Sequence, residues 1–414
     1  MSGPGALTPP RAALVPLVLA QFICGFAGSS PSVMINDISA DLHTTVQGVQ
    51  LVITTFLLVV AALMIPGGKL TDRYGRKRCF VAGLAVYGIG AVLSALAPGL
   101  GVLVLGNSIL EGAGAALLIP PVYILATLLF TDTTSRARAI GVIMAMGGIG
   151  AAAGPLLGGL ITSGLGWRAA FVFQALVVAS IAWLGRRIDD PAPMDPAKPF
   201  DIPGAVLSTV GMVLPVMGIL AADEDVRLMW ALLAVSAVVL VCFFLWIRAE
   251  ERAGREPLIS MGLLRNRTAA LGFVTQNLQW LLLMGTIFVV AAYLQVVRGY
   301  NAIQTGVVFT AATVGLLGSS WAATRLSRRY PQRILITAGF AVTVVGINAL
   351  LVLAGRAVSP WAFAPGLLLI GVGSGVIPTP AVDIVRSGFG GEQQDEISAW
   401  HAVCPTSAPR WASP

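Results

Sequence analysis

The chain has 414 residues, 56% apolar and only 11% charged, too little polar surface to clothe a water-soluble fold, so the bilayer is the expected solvent. A net charge of +7 would suit nucleic acid, but the basic residues stand in short clusters between apolar runs, which fits a lipid bilayer as partner and argues against nucleic acid. Cys24, Cys79 and Cys242 lie in or beside apolar runs without metal-ligand spacing, so no disulfide framework, metal site or cofactor is expected.

A helix needs about 20 mostly apolar residues to cross the hydrocarbon core. Twelve runs meet that requirement, near 12–35, 49–67, 79–97, 100–129, 138–163, 169–185, 203–222, 228–247, 269–296, 303–323, 334–354 and 361–384. The expected fold is therefore all-α, a polytopic membrane protein with about 12 transmembrane helices. Barrel strands would be shorter and would alternate in polarity. The first run is too long for a signal peptide and has no small-residue cleavage site.

With the N-terminus in the cytoplasm, 22 of the 26 Lys and Arg residues fall on the cytoplasmic side and only Arg168, Arg227, Arg298 and Arg356 outside. Residues 1–185 are expected to form a six-helix bundle, 186–202 a proline-bearing cytoplasmic linker and 203–247 a central helix pair. A cytoplasmic loop over 248–268 leads to four further helices over 269–385. The loop Leu70–Arg78 (LTDRYGRKR) echoes Leu326–Arg333 (LSRRYPQR), as in transporters built from repeated halves with the substrate path between them. Residues 386–414 read as a cytoplasmic loop and a tail with no apolar run. A natural polar terminus and a truncation of a longer chain both remain open on those residues.

The most specific pattern lies in span five, where Gly141, Gly150, Gly154, Pro155, Gly158 and Gly159 stand as G-x8-G-x3-G-P-x2-G-G. Gly150, Gly154 and Gly158 fall four apart and form a smooth stripe for close helix approach. Pro155 lacks an N–H and crowds the carbonyl of Ala151, which predicts a bend whose freed groups need partners. The second pattern is Gly68–Arg78, with Gly68 and Gly75 at tight turns, Asp72 able to accept from a helix N-terminus or an Arg, and Arg73, Arg76, Lys77 and Arg78 facing anionic lipid. Close packing and topology alone would explain parts of each pattern.

Together these patterns resemble two signatures of the major facilitator superfamily, the antiporter motif of span five and the conserved loop after span two. Phe200-Asp201 with Gly204, Tyr293-Leu294-Gln295 with Gly299, and Trp167-Arg168 with Phe171 resemble its fourteen-span drug:proton antiporter branch. The resemblance covers residues 12 to 398. It implies helical bundles of the major-facilitator type, proton-driven export of a small molecule, and two spans missing from this chain, so truncation is the favoured reading of the tail. It also implies that the loop around Asp72 latches one conformation.

Two positions depart from that branch. Where it carries an acidic residue in span one this chain has Ala27, and the usual R-x-x-Q-G of span four is Ser108-Ile109-Leu110-Glu111-Gly112. Glu111 is the one of 19 acidic residues placed deep within a span. A charge at the bilayer centre costs about 3 kcal/mol on insertion scales, so Glu111 is expected to face a cavity, find a partner or carry a proton. Proton coupling and a neutral hydrogen-bonded carboxyl, partnered by Asn107 one turn back, both fit.

Asn107, Gln276, Asn277 and Trp280 are the pocket candidates. Gln276 and Trp280 lie one turn apart, an amide and an aromatic surface suited to an aromatic or cationic molecule, although interhelical hydrogen bonding fits equally. Asp383 reads as interfacial, and neither His43 nor His401 suggests a ligand. No nucleophile–base pairing or nucleotide motif points to an enzyme. The expectation is a monomeric, proton-coupled multidrug-type exporter of the inner membrane, with small-molecule substrate and protons as partners. A facilitator with altered coupling and a non-transporting remnant are the alternatives.

Overall fold

Among the residues that the computed structural model describes, 10–130, 132–186, 188, 201–221, 225–253, 267–327, 329–354, 360–378 and 380–381, all regular structure is helical. Most of the linker after Arg186, residues 254–266, Asp383 and the tail with His401 lie outside them. The long helices follow the apolar runs: α1 (Pro10–Ser29), α2 (Val46–Tyr74), α3 (Arg76–Ala95), α4 (Leu100–Leu129), α5 (Thr133–Leu165) and α6 (Trp167–Gly185). A second series comprises α7 (Ile202–Leu220), α8 (Val226–Arg252), α9 (Arg267–Ala292), α10 (Ala302–Leu326), α11 (Gln332–Ala354) and α12 (Ala364–Val376). Eleven helices among the described residues are long and apolar enough to cross a membrane, and the twelfth run forms a shorter apolar helix, Trp361–Val376.

Polar residues at the run boundaries are consumed as caps. The Asp132 carboxylate accepts from the N–H of Ser135 at 2.8 Å, and Asn301 and Gln304 form a reciprocal capping box at the start of α10. Asp201 caps α7 through the N–H of Gly204 at 2.8 Å and accepts from the indole of Trp246 on α8 at 2.9 Å, tying the central pair together. That pair also touches α2, where the Thr209 hydroxyl donates to the Ala62 carbonyl at 3.3 Å.

Helices α1 to α6 pack on one another, and α10, α11 and α12 form a second group. A turn of 3-10 helix (Ser30–Val33) and a short helix (Ile35–Asp41) follow α1, and at that end the two groups share one apolar core. Val33, Ile38, Val52 and Phe171 belong to it together with Leu294, Phe309 and Phe363. The Gln295 amide donates to the Ser32 carbonyl at 2.9 Å and the Asn36 amide to the Gln295 carbonyl at 3.1 Å, so polar contacts also tie the first group to the stretch that follows α9.

The same end carries a charged clamp. Arg168 pairs with Asp41, donates to the Ala97 carbonyl at 2.9 Å and lies over the ring of Trp167, whose indole N–H also donates to Asp41. Hydrogen bonding from Arg168 first, with Trp167 adding in the same sense, holds the Asp41 carboxyl below its ordinary value of 3.8. A carboxyl depressed on folding lends stability that is complete above its unfolded value and lost as pH falls through its folded value. Melting curves of the detergent-solubilised protein should decline more steeply below about pH 4 for wild type than for Asp41→Asn. Parallel declines would show that the clamp adds nothing.

Candidate transport site

Glu111 closes an eight-residue stretch of π-helix, Val104–Glu111, set inside α4. The wider turn rotates the side chains that follow it, a distortion that recurs at functional sites. Its carboxyl has no exposed surface. Ser94 on α3 donates to Oε1 at 3.1 Å and the Asn107 amide donates to Oε2 at 3.3 Å. The Tyr87 hydroxyl reaches the same carboxyl and donates to Oε1 of Gln174 on α6.

The approach of α3 to α4 depends on glycine. A Cβ on Gly90 would lie 2.6 Å from the Gly106 carbonyl and 2.9 Å from the Glu111 Cγ, and one on Gly114 would strike the backbone of Tyr87. Each hydrogen-bond partner of Glu111 is neutral. A buried carboxylate without a cation is strongly disfavoured, whereas a carboxylic acid surrounded by hydroxyls and an amide is satisfied. The arrangement suits a group that holds a proton in this conformation. Tyr87, Ser94 and Gln174 carry no local sequence signal, because each comes from a different turn or helix.

The two departures are both accommodated without charge. The Ser108 hydroxyl donates to the Val52 carbonyl on α2 at 2.8 Å, and Ala27 is buried in the apolar core that the first six helices share with α7 and α8.

The glycine stripe of α5 finds its partner in α1. A Cβ on Gly150 would meet the Phe22 carbonyl, one on Gly154 the Ser29 hydroxyl, and one on Gly158 the Ser30 Cβ at 3.0 Å. The opposite face of α5 meets α10: Gly159 lies against the Ala302 carbonyl, and a Cβ on Gly306 would stand 2.5 Å from the Pro155 carbonyl. The helix runs unbroken through Pro155, and the Thr313 hydroxyl donates to the Ala152 carbonyl at 2.7 Å, supplying a partner from α10 beside the proline. Gly141 has nothing within 4 Å. Thus α5 is the strut between the two helix groups.

A family model described as the Major Facilitator Superfamily matches residues 17–408, nearly the whole chain. The chain belongs to the Major Facilitator Superfamily. It is 32% identical over 380 residues to the puromycin resistance protein pur8 of Streptomyces alboniger, a match covering 89% of this chain and 73% of that protein. Against the cephamycin export protein CmcT of Amycolatopsis lactamdurans it is 30% identical, covering 91% and 78%. It is 26% identical to the multidrug resistance protein Stp of Mycobacterium tuberculosis strain H37Rv, covering 91% and 70%. A crystal structure of the peptide transporter POT with sulfate superposes with a TM-score of 0.64 at 16% identity, covering 95% of this chain and 86% of that one, a likeness of fold alone.

Within this superfamily member, the segment Gly68–Arg78 is tighter than a loop. Gly68 and Asp72 belong to α2, which runs to Tyr74, and α3 begins at Arg76, leaving only Gly75 between them at a φ of 96°. A residue with a Cβ is strained there, which accounts for the glycine. The Arg73 guanidinium lies 5.5 Å from the centre of the Tyr74 ring, and Lys77 donates to the Arg186 carbonyl at 3.1 Å.

The pocket candidates separate. Asn107 belongs to the Glu111 network inside the first six helices. On α9, Asn277 and Trp280 stand on the exposed surface, whereas Gln276 keeps a buried Oε1 and Gln279, which the sequence pattern did not single out, is enclosed against α12. Among the described residues no group of three or more His, Cys, Asp or Glu side chains is placed to hold a metal ion.

Proposed function

We propose that the chain exports hydrophobic or cationic small molecules across the inner membrane in exchange for protons, as a monomer with its N-terminus in the cytoplasm. The observation that carries this reading is Glu111, a wholly enclosed carboxyl whose partners are all neutral. Relatives named for antibiotic export and for antibiotic and multidrug resistance support the substrate class. The additional pair α7–α8 between the two helix groups supports the fourteen-span branch. The α5 strut, with α1 on its glycine face and α10 on the other, supports alternating access at the junction of the groups. Gly75 at the α2–α3 turn supports a latch formed by the Asp72 segment.

Proteoliposomes holding the purified chain and given a pH gradient are expected to concentrate ethidium, and an uncoupler should abolish the accumulation. Ser108 and Ala27, which replace the charged residues of that branch, favour a second reading as a facilitator with altered coupling. Ethidium movement that only equilibrates, and that ignores the uncoupler, would select it.

A further inference from the structure

The hydroxyls packed around α12 are satisfied on two of its sides. Ser319 and Ser320 of α10 reach the carbonyls of Gly371 and Gly375 at 3.4 and 3.1 Å, and Thr343 of α11 donates to the Gly339 carbonyl at 2.9 Å. The side facing α9 differs. Gln279 is 3% exposed and donates its Nε2 to the Ser374 carbonyl at 3.3 Å. That contact fixes the amide orientation, since the flipped amide would set oxygen against oxygen. Its Oε1 then points elsewhere and has no partner.

The Ser374 hydroxyl, 1% exposed, is likewise unpartnered, and so is the buried Oε1 of Gln276 one turn away on α9. Two unmet polar atoms on one seam are unusual, because a buried polar group without a partner is costly. Next to them the seam is apolar, with Leu283 on α9 and Ile370 on α12 both buried. An apolar surface bearing a few convergent polar atoms is the usual make-up of a small-molecule site.

We infer that the α9–α12 seam at Gln279 and Ser374 is a recognition subsite for an uncharged hydrogen-bonding group, an amide or hydroxyl, on an otherwise apolar exported molecule. The inference rests on the export reading. The Gln279 oxygen accepts from the N–H or O–H of that group and the Ser374 hydroxyl donates to its oxygen. A cation without such groups gains nothing here.

Two probes separate these cases: puromycin, which carries amide and hydroxyl groups, and tetraphenylphosphonium, which has none. In proteoliposomes, Gln279→Met and Ser374→Ala are each expected to raise the KM for puromycin about fivefold, the order of one neutral hydrogen bond, and to leave that for tetraphenylphosphonium unchanged. Ser374→Ala removes one oxygen and adds no volume, so it reports even where the longer replacement perturbs folding. Equal losses for both probes, or no change for either, overturn the subsite while wild-type transport stands. Wild-type vesicles that move neither probe overturn the export reading and the subsite with it.

Discussion

Glu111→Gln is expected to reduce accumulation driven by a pH gradient to the level of protein-free liposomes, while downhill movement of the same dye continues. The amide has the shape of the protonated carboxyl and keeps an acceptor for Ser94 or Asn107 and a donor for Tyr87, so the helices around it have no reason to shift. What it lacks is a proton to release. A melting temperature equal to wild type should accompany the loss. Coupled accumulation that persists in Glu111→Gln would assign the buried carboxyl a purely structural part. Tyr87→Phe, which deletes a hydroxyl shared between Glu111 and Gln174, tests the same network from its far side.

The second large effect is expected on α5. A methyl group on Gly150 would drive into the Phe22 carbonyl, a backbone atom held by its own helix, so α1 and α5 must separate. Overpacking of this kind costs about 1 to 3 kcal/mol. Gly150→Ala should therefore lower the melting temperature by several degrees and depress transport of every substrate together. Gly141→Ala provides the contrast, since nothing lies within 4 Å of that position and alanine favours helix. Thermal unfolding of both variants in the same detergent would decide the matter. Equal melting temperatures would mean that the stripe does not set the spacing of α1 and α5.

These two sites show which features were legible in the chain. Apolar run lengths located the helices, because crossing a bilayer imposes a minimum length that leaves a direct mark on composition. Glu111 announced itself as the lone acid within a span, and Asn107, one turn away on the same helix, was visible as its partner. Ser94, Tyr87 and Gln174 were not, because which helices become neighbours is decided by packing across the bundle rather than by any local period. The same holds for the glycine stripe: its smoothness could be read, but α1 as its partner could not.

Helix ends were blurred for a different reason. Polar residues after a span read as a loop, yet α2 continues through Lys69, Asp72 and Arg73 to Tyr74 before Gly75 breaks it. Charged side chains are compatible with helix once the chain has left the hydrocarbon. The π-helical stretch before Glu111 has no compositional mark at all. On α9 the Gln276 and Trp280 pairing followed from helical spacing, whereas burial against α12 falls on Gln279, because the position of α12 sets which face is inward.

Proton movement caused by substrate is the most direct test of export coupled through Glu111. Proteoliposomes containing a pH-sensitive dye in the lumen would be exposed to ethidium without any imposed gradient. Coupled exchange predicts an immediate luminal pH change with wild type and none with Glu111→Gln. Ethidium movement by wild type with no luminal pH change would contradict it.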